Sequence, residues 1–276
     1  MKAPSKVVAH WSNDFAEGMA YVASSRSERM KDYYIAGHFD VKQIKCNLDA
    51  LAETNRLQKI FDDSEKEQRD QRKNVWRISY LNVRSLKSSN GHREDVKSDN
   101  FIMDTDLFGL GETWLQQDNK VNFVGFSGYF ANFGNGKGVA GYSKISLVSQ
   151  PEVASSETYS AIFFKTEYFH IIFLYLSSTY SKDSLFALLE TWIEKDKPTA
   201  VMGDVNENLL KMKKANFTKM MRSHGFDQLI KEPTCLTGSL IDHLYVNDAM
   251  KAKGISTAID AAYYSDHDII SLYVAK

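Results

Sequence analysis

Six acidic or amide side chains and one histidine stand where apolar runs of this sequence stop. Asn82 closes RISYLN, Glu112 follows DLFGLG, and Asp204 and Asn206 follow AVMG; Asp242 lies in LIDHLYV, and Asp266 with His267 precedes the last apolar run. Strand ends are where a sheet scaffold aims side chains from distant segments at one pocket. A core does not tolerate so many ionisable groups unless they pair with one another or bind a cation. Each residue alone has a plainer meaning. Asp204-x-Asn206 is also a turn signature, Glu112 a cap or surface residue, Asp242 a solvated strand end, and Asp266–His267 a helix cap or turn. His243 points to the strand face opposite Asp242 and reads as structural.

Eight short runs have strand character: Trp76–Asn82, Leu107–Leu110, Gly138–Lys144, Ala161–Lys165, Phe169–Leu176, Thr199–Gly203, Ile241–Val246 and Ile269–Val274. Several are continuously apolar, which suits strands buried on both faces. Ser184–Lys195 places Leu185, Leu188, Leu189, Trp192 and Ile193 on one helical face, and Lys214–His224 ends before Gly225. A weaker helical pattern covers Arg93–Asp104. Strands outnumber helices and the connections are irregular, so the expected class is α+β, with sheets packed together and covered by helices.

Composition narrows the setting. The 276 residues carry 34 Lys+Arg against 35 Asp+Glu, a formal charge of −1, and 43% hydrophobics. That excludes wholesale disorder and a protein that coats nucleic acid by bulk charge; any contact with DNA must be a local site. Cys46 and Cys235 are too few for a disulfide framework, which places the chain in a reducing, intracellular setting. No run of ~18 apolar residues is present, so no membrane partner is expected. Between Lys59 and Lys73 ten of fifteen residues are charged. Residues 59–74 read as a linker between an N-terminal part, 1–58, and a larger domain, 75–276.

Within 75–276 the ordered pieces LNVRSL, GETWL, GKGVAGYSK, FLYLSST, MGDVN, SLIDHLYV and YSDHDII resemble the endonuclease/exonuclease/phosphatase superfamily. They are most similar to the apurinic-like endonucleases of non-LTR retrotransposons and Helitron-associated elements. The resemblance implies a DNase I-like four-layer α/β/β/α sandwich. It also implies Mg²⁺-dependent phosphodiester hydrolysis (Mn²⁺ as a substitute ion) that nicks a DNA substrate and leaves a 3′-hydroxyl. Hydrolysis of a phosphodiester needs a cation, an oriented water and donors for the phosphoryl oxygens. The implied metal ligands are Glu112, Asn82 and Asp266. Asp204 would orient or deprotonate the water, with Asn206 projecting to the same side of an extended segment to hold it or the phosphate. His267 would donate to a phosphoryl oxygen, kept charged by Asp242, and Tyr175 would contact the phosphate or assist the leaving oxygen. Two positions depart from the pattern. Arg84 stands where apurinic endonucleases carry an acid, and Ser177–Ser178 replace the usual proline. The alternatives are a phosphoesterase of this fold acting on a small phosphorylated substrate, or a catalytically silent mobile-element remnant.

Gly136-x-Gly138-x-x-Gly141 satisfies a dinucleotide fingerprint but runs into strand-like VAGYSKISLV, so a hairpin entry is expected there instead. Residues 7–58, through GMAYVASSR and Arg26, resemble the C-terminal end of Helitron-type superfamily-1 helicases. No phosphate loop accompanies them, so no ATP binding is expected in this chain; an upstream helicase portion is the implied partner. Such an origin implies a nuclear protein, although no targeting signal is present.

Overall fold

The structure, a computed structural model, describes residues 7–10, 33–36, 56, 74–87, 92–115, 120–131, 137–211 and 215–276. The chain forms two compact units, Met1–Asp70 and Gln71–Lys276. In the first, β1 (Val7–His10) pairs in parallel with β2 (Tyr33–Ala36). Arg26, Cys46 and the charged stretch 59–73 lie outside the described residues.

The second unit holds two six-stranded mixed sheets. One runs β13 (Ile255–Asp260), β14 (Ile269–Ala275), β3 (Val75–Asn82), β4 (Leu107–Gly111), β6 (Val139–Ser143), β5 (Ser127–Ala131). The other runs β11 (Phe226–Gln228), β12 (Asp242–Asn247), β10 (Thr199–Asp204), β9 (His170–Leu176), β8 (Tyr159–Lys165), β7 (Glu152–Ser155). Five short helices accompany them among the described residues: α1 (His92–Ser98), α2 (Asn100–Met103), α3 (Lys182–Trp192), α4 (Asn216–Ser223) and α5 (Asp248–Lys251).

Period-two alternation sorts the apolar side chains into three layers. Ile78 and Tyr80 of β3 and Leu107 of β4 meet Ile171, Phe173 and Tyr175 of β9 and Met202 of β10 between the sheets. The opposite faces of the same strands, including Ile172, Leu174 and Val201, pack on Leu185, Leu189 and Trp192 of α3 and Phe217 and Met221 of α4. On the far side Phe108 and Leu110 pack against Val96 of α1 and Ile102 of α2. This is the expected four-layer α/β/β/α sandwich. Close approach of the sheets has a sequence cause: a Cβ on Gly109 would stand 2.5 Å from the Phe173 ring, and one on Gly141 2.5 Å from Phe164.

The eight expected strands form, with ends shifted by at most two residues. The Arg93–Asp104 helix is two helices, because Asp99 caps the second: its carboxylate accepts from the N–H groups of Phe101 and Ile102. The Ser184–Lys195 helix starts earlier and ends at Trp192, where Ile193 turns to extended backbone. Gly138 lies just before β6 and Gly141 within it, so the glycine motif enters a strand, as expected.

Candidate active site

The site grows out of the core's own periodicity. The inward rows Ile78–Tyr80, Ile171–Phe173, Ala200–Met202 and Val246–Leu244 continue, two residues on, into Asn82, Tyr175, Asp204 and Asp242. Strand register aligns the last three, since Asp204 faces Tyr175 across β9–β10 and Asp242 across β10–β12. Asp242 is the first residue of β12, and only the antiparallel direction of that strand brings it to the edge where β10 ends. Hydrophobic packing thus fixes where the polar groups emerge.

Two hydrogen bonds tie the sheets together there. The Asn82 amide donates to Asp204 Oδ2 at 2.8 Å, and the Tyr175 hydroxyl donates to Glu112 Oε1 at 2.8 Å. Glu112 would not reach this side by simple alternation. Leu107, Gly109 and Gly111 face inward, so the next residue of a regular strand faces outward. A positive φ of 48° at Glu112 breaks the strand and turns the carboxylate back between the sheets. A non-glycine residue in that region costs about 1–2 kcal/mol, held by surrounding bonds. The Val83 N–H to Gly111 carbonyl contact of 3.1 Å and the Thr113 N–H to Gly138 carbonyl contact of 3.1 Å are such bonds.

Asp204 is buried to 1% exposure; Asn82 bonds one oxygen, and the Asn206 N–H bonds the other at 2.9 Å. Burial and the charge of Asp242 push its pKa up to about 8, against the lowering influence of His267 and of its hydrogen bonds. Asp242 is fully buried; its Oδ2 accepts from the Thr234 hydroxyl at 2.7 Å and lies 2.8 Å from His267 Nδ1. Burial pulls the His267 pKa down, but the adjacent Asp242 carboxylate overrides it and raises the imidazole to about 10. His267 is therefore a cation at neutral pH with Nδ1 committed to Asp242. Burial, the Glu112 charge and the bond to Glu112 hold the Tyr175 hydroxyl protonated well above its ordinary range.

Asn206 departs from the sequence expectation. β10 ends at Asp204, and Asn206 has φ 55° rather than extended backbone, so its side chain does not follow Asp204 by strand alternation. Its amide donates to the Leu176 carbonyl at 2.7 Å, while its own N–H reaches back to Asp204. Asn82 Oδ1 accepts from the Arg84 N–H at 3.0 Å, which leaves one lone pair on that oxygen. Asp266 Oδ2 is paired with the Arg84 guanidinium at 2.8 Å. His243 is structural, as expected: fully buried, with Nδ1 2.8 Å from the Tyr245 hydroxyl and Nε2 2.9 Å from the Glu207 carbonyl oxygen.

Thr234, Ser265, Tyr80 and the Arg84–Asp266 pair escaped the sequence reading. Thr234 clamps Asp242, and Ser265 links the Asn82 carbonyl to the His267 N–H, donating to the first at 2.7 Å and accepting from the second at 3.1 Å. Tyr80 lies fully buried under Asp204, and burial with the Asp204 and Asp242 charges holds its phenol protonated. None carries a local pattern that separates it from a turn or core residue.

The residues fit a hard divalent cation. One buried oxygen each of Asp242 and Asp266 has no hydrogen-bond partner, which is costly for a carboxylate without a counter-charge. One ligand-capable atom each of Asp204, Asp242 and His267 lie within 4.8 Å of one another. A second such cluster joins Cys235, Asp266 and His267, and neither cluster includes Glu112.

Solved structures share this fold at low identity. The endonuclease domain of TRAS1, a telomere-specific non-LTR retrotransposon, aligns with TM-score 0.54 and 14% identity, covering 73% of this chain and 98% of that one. A 3′-5′ exonuclease from Neisseria meningitidis gives 0.58 and 16% over 72% and 100%. An AP endonuclease from Archaeoglobus fulgidus gives 0.56 and 15% over 73% and 99%. No curated protein matches in sequence. Residues 79–267, which span every site residue above, match the Endonuclease/Exonuclease/phosphatase family. With the sandwich, the two cross-sheet bonds and that match together, the chain belongs to the endonuclease/exonuclease/phosphatase family.

Proposed function

We propose that the chain is a Mg²⁺-dependent phosphodiester hydrolase that nicks DNA and leaves a 3′-hydroxyl. The supporting observation is geometric: the buried carboxylate of Asp204, held by the Asn82 amide and the Asn206 N–H, lies within 4.8 Å of the His267–Asp242 pair at the ends of the central strands. A general base works best when its pKa lies near the operating pH. Asp204, oriented by the Asn82 amide and the Asn206 N–H, takes a proton from the attacking water. His267, held by Asp242 and Thr234, donates to a phosphoryl oxygen, and the departing 3′-oxygen takes its proton from solvent. Tyr175 orients Glu112 with its hydroxyl. Glu112, Asp266 and the remaining lone pair of Asn82 would hold Mg²⁺, which would supply Lewis-acid charge for the phosphoryl group. The DNA substrate and an origin in a mobile element rest on the motif series and on the likeness to a retrotransposon endonuclease domain. An upstream helicase portion rests on residues 7–58 of the sequence alone.

Plasmid nicking tests this reading. Supercoiled DNA should be relaxed with Mg²⁺ and not with chelator. Asp204→Asn and His267→Asn should each lower the rate on the order of 10²–10⁴-fold in protein whose circular-dichroism spectrum matches the wild type. Phosphate release from inositol phosphates without nicking, or a folded, Mg²⁺-loaded protein that cleaves no nucleic acid, overturns it.

A further inference from the structure

The strained turn that aims Glu112 does not stop there. Two residues later Trp114 also has positive φ, 54°, a conformation rare for a bulky side chain. The intervening Thr113 is pinned on both sides: its N–H donates to the Gly138 carbonyl at 3.1 Å, and its carbonyl accepts the Leu86 N–H at 2.8 Å. Three loops therefore converge on one spot beside Glu112, and each brings a side chain. Lys87 Nζ lies 5.4 Å from the Trp114 ring centroid and Lys137 Nζ 5.5 Å from it. Trp114 is partly exposed, as is Lys137, and Lys87 is exposed. In a chain of net charge −1, this is a local pairing of one large ring with two cations at the rim of the site.

Stability does not account for the arrangement. An ordinary core tryptophan would be packed away rather than left at a surface on a disfavoured backbone, and two ammonium groups repel each other. An aromatic face flanked by lysines suits single-stranded nucleic acid: an unstacked base lies on the ring while the ammonium groups meet the neighbouring phosphates. Resting on the proposed nuclease reading, we infer that Trp114, Lys87 and Lys137 form a stacking platform for an unpaired base next to the scissile phosphate. The preferred substrate class is then DNA with a flap, gap or extruded base at the cut, ahead of continuous duplex. A base that takes the ring face displaces the lysines onto the phosphates on either side.

Binding measured apart from cleavage separates this inference from the nuclease reading. The full chain carrying His267→Asn is titrated with a fluorescein-labelled duplex and with the same duplex bearing one unpaired base. The unpaired-base ligand should bind about tenfold more tightly. Adding Trp114→Ala should remove that preference and Trp114→Phe should restore most of it. Lys87→Ala and Lys137→Ala should each reduce the slope of log Kd against log salt by about one. Equal affinity for the two ligands, or a preference that survives Trp114→Ala, overturns the platform whether or not the wild type cuts DNA. If Trp114→Ala unfolds, the Phe variant and the two salt slopes decide in its place.

Discussion

Asp242 has no solvent contact, and it decides the character of two neighbours at once: it raises the pKa of Asp204 by repulsion and that of His267 by attraction. Asp242→Asn keeps the shape and removes the charge, so burial of the imidazole is then opposed only by the weaker pull of Asp204 and Cys235. The His267 titration midpoint, followed by NMR of the ring protons, should fall markedly from about 10. A midpoint that stays above 8 would mean that another group holds the proton. The type of residue needed at this position was legible in the sequence, because Asp242 interrupts an apolar run. Its clamp was not: Thr234 is eight residues away on a loop, and nothing in KEPTCLTG distinguishes it from a turn residue. The pairing of Arg84 with Asp266 was equally hidden, since it joins positions 182 apart.

Strands explain both what was readable and what was not. The eight runs visible in the sequence became the interior of the two sheets, where both faces are covered and the strand reads as continuously apolar. In the second unit the four strands that went unseen, β5, β7, β11 and β13, are the four edges of its two sheets. Their sequences SGYFA, EVAS, FDQ and ISTAID are short or half-exposed, so no apolar run marks them. The turn at Glu112 was invisible for a different reason, because strand alternation assigns its side chain to the wrong face and only the left-handed backbone reverses it. The pairing of β9 with β10 shows how tightly the site's strands are drawn together. A Cβ on Gly203 would lie 2.0 Å from the Leu174 carbonyl oxygen, a backbone atom that cannot swing aside. Gly203→Ala should therefore lower the unfolding free energy by ~1–3 kcal/mol in urea titration, and nicking should fall with it because Asp204 is the next residue. An alanine variant as stable as wild type would show that the two strands separate at little cost.

For the molecule as a whole, the buried charges set a pH profile. Asp204 keeps its proton to about 8 when folded but loses it near 3.8 when unfolded, so stability falls as pH rises across that window. His267 holds its proton to about 10 when folded and to about 6.5 when unfolded, so its contribution is present below 6.5 and lost as pH climbs toward 10. His243 acts in the other direction. Burial lowers it to about 4, so stability falls as pH drops from 6.5 toward 4. Between 6.5 and 8 both site groups act with the same sign. The thermal midpoint of the chelated protein should thus decline from pH 6.5 to pH 9, and Mg²⁺ should raise it more at pH 9, where the carboxylates are ionised. A midpoint that rises with pH in chelator would show that Asp204 is already ionised in the folded protein.

Asn82 lies in one sheet and Glu112 directly follows its β4, whereas Tyr175, Asp204 and Asp242 lie in the other. Among the described residues a pair of 2.8 Å bonds joins their polar ends, laid over a core in which the Phe173 ring fills the hollow above Gly109. The core thereby acts as a spacer whose thickness is read out at the rim. A change of volume deep between the sheets would alter the separation of base, imidazole and carboxylate before it exposed any of them to water. In this architecture a family of catalysts can be tuned from the inside, by side chains that never meet the substrate.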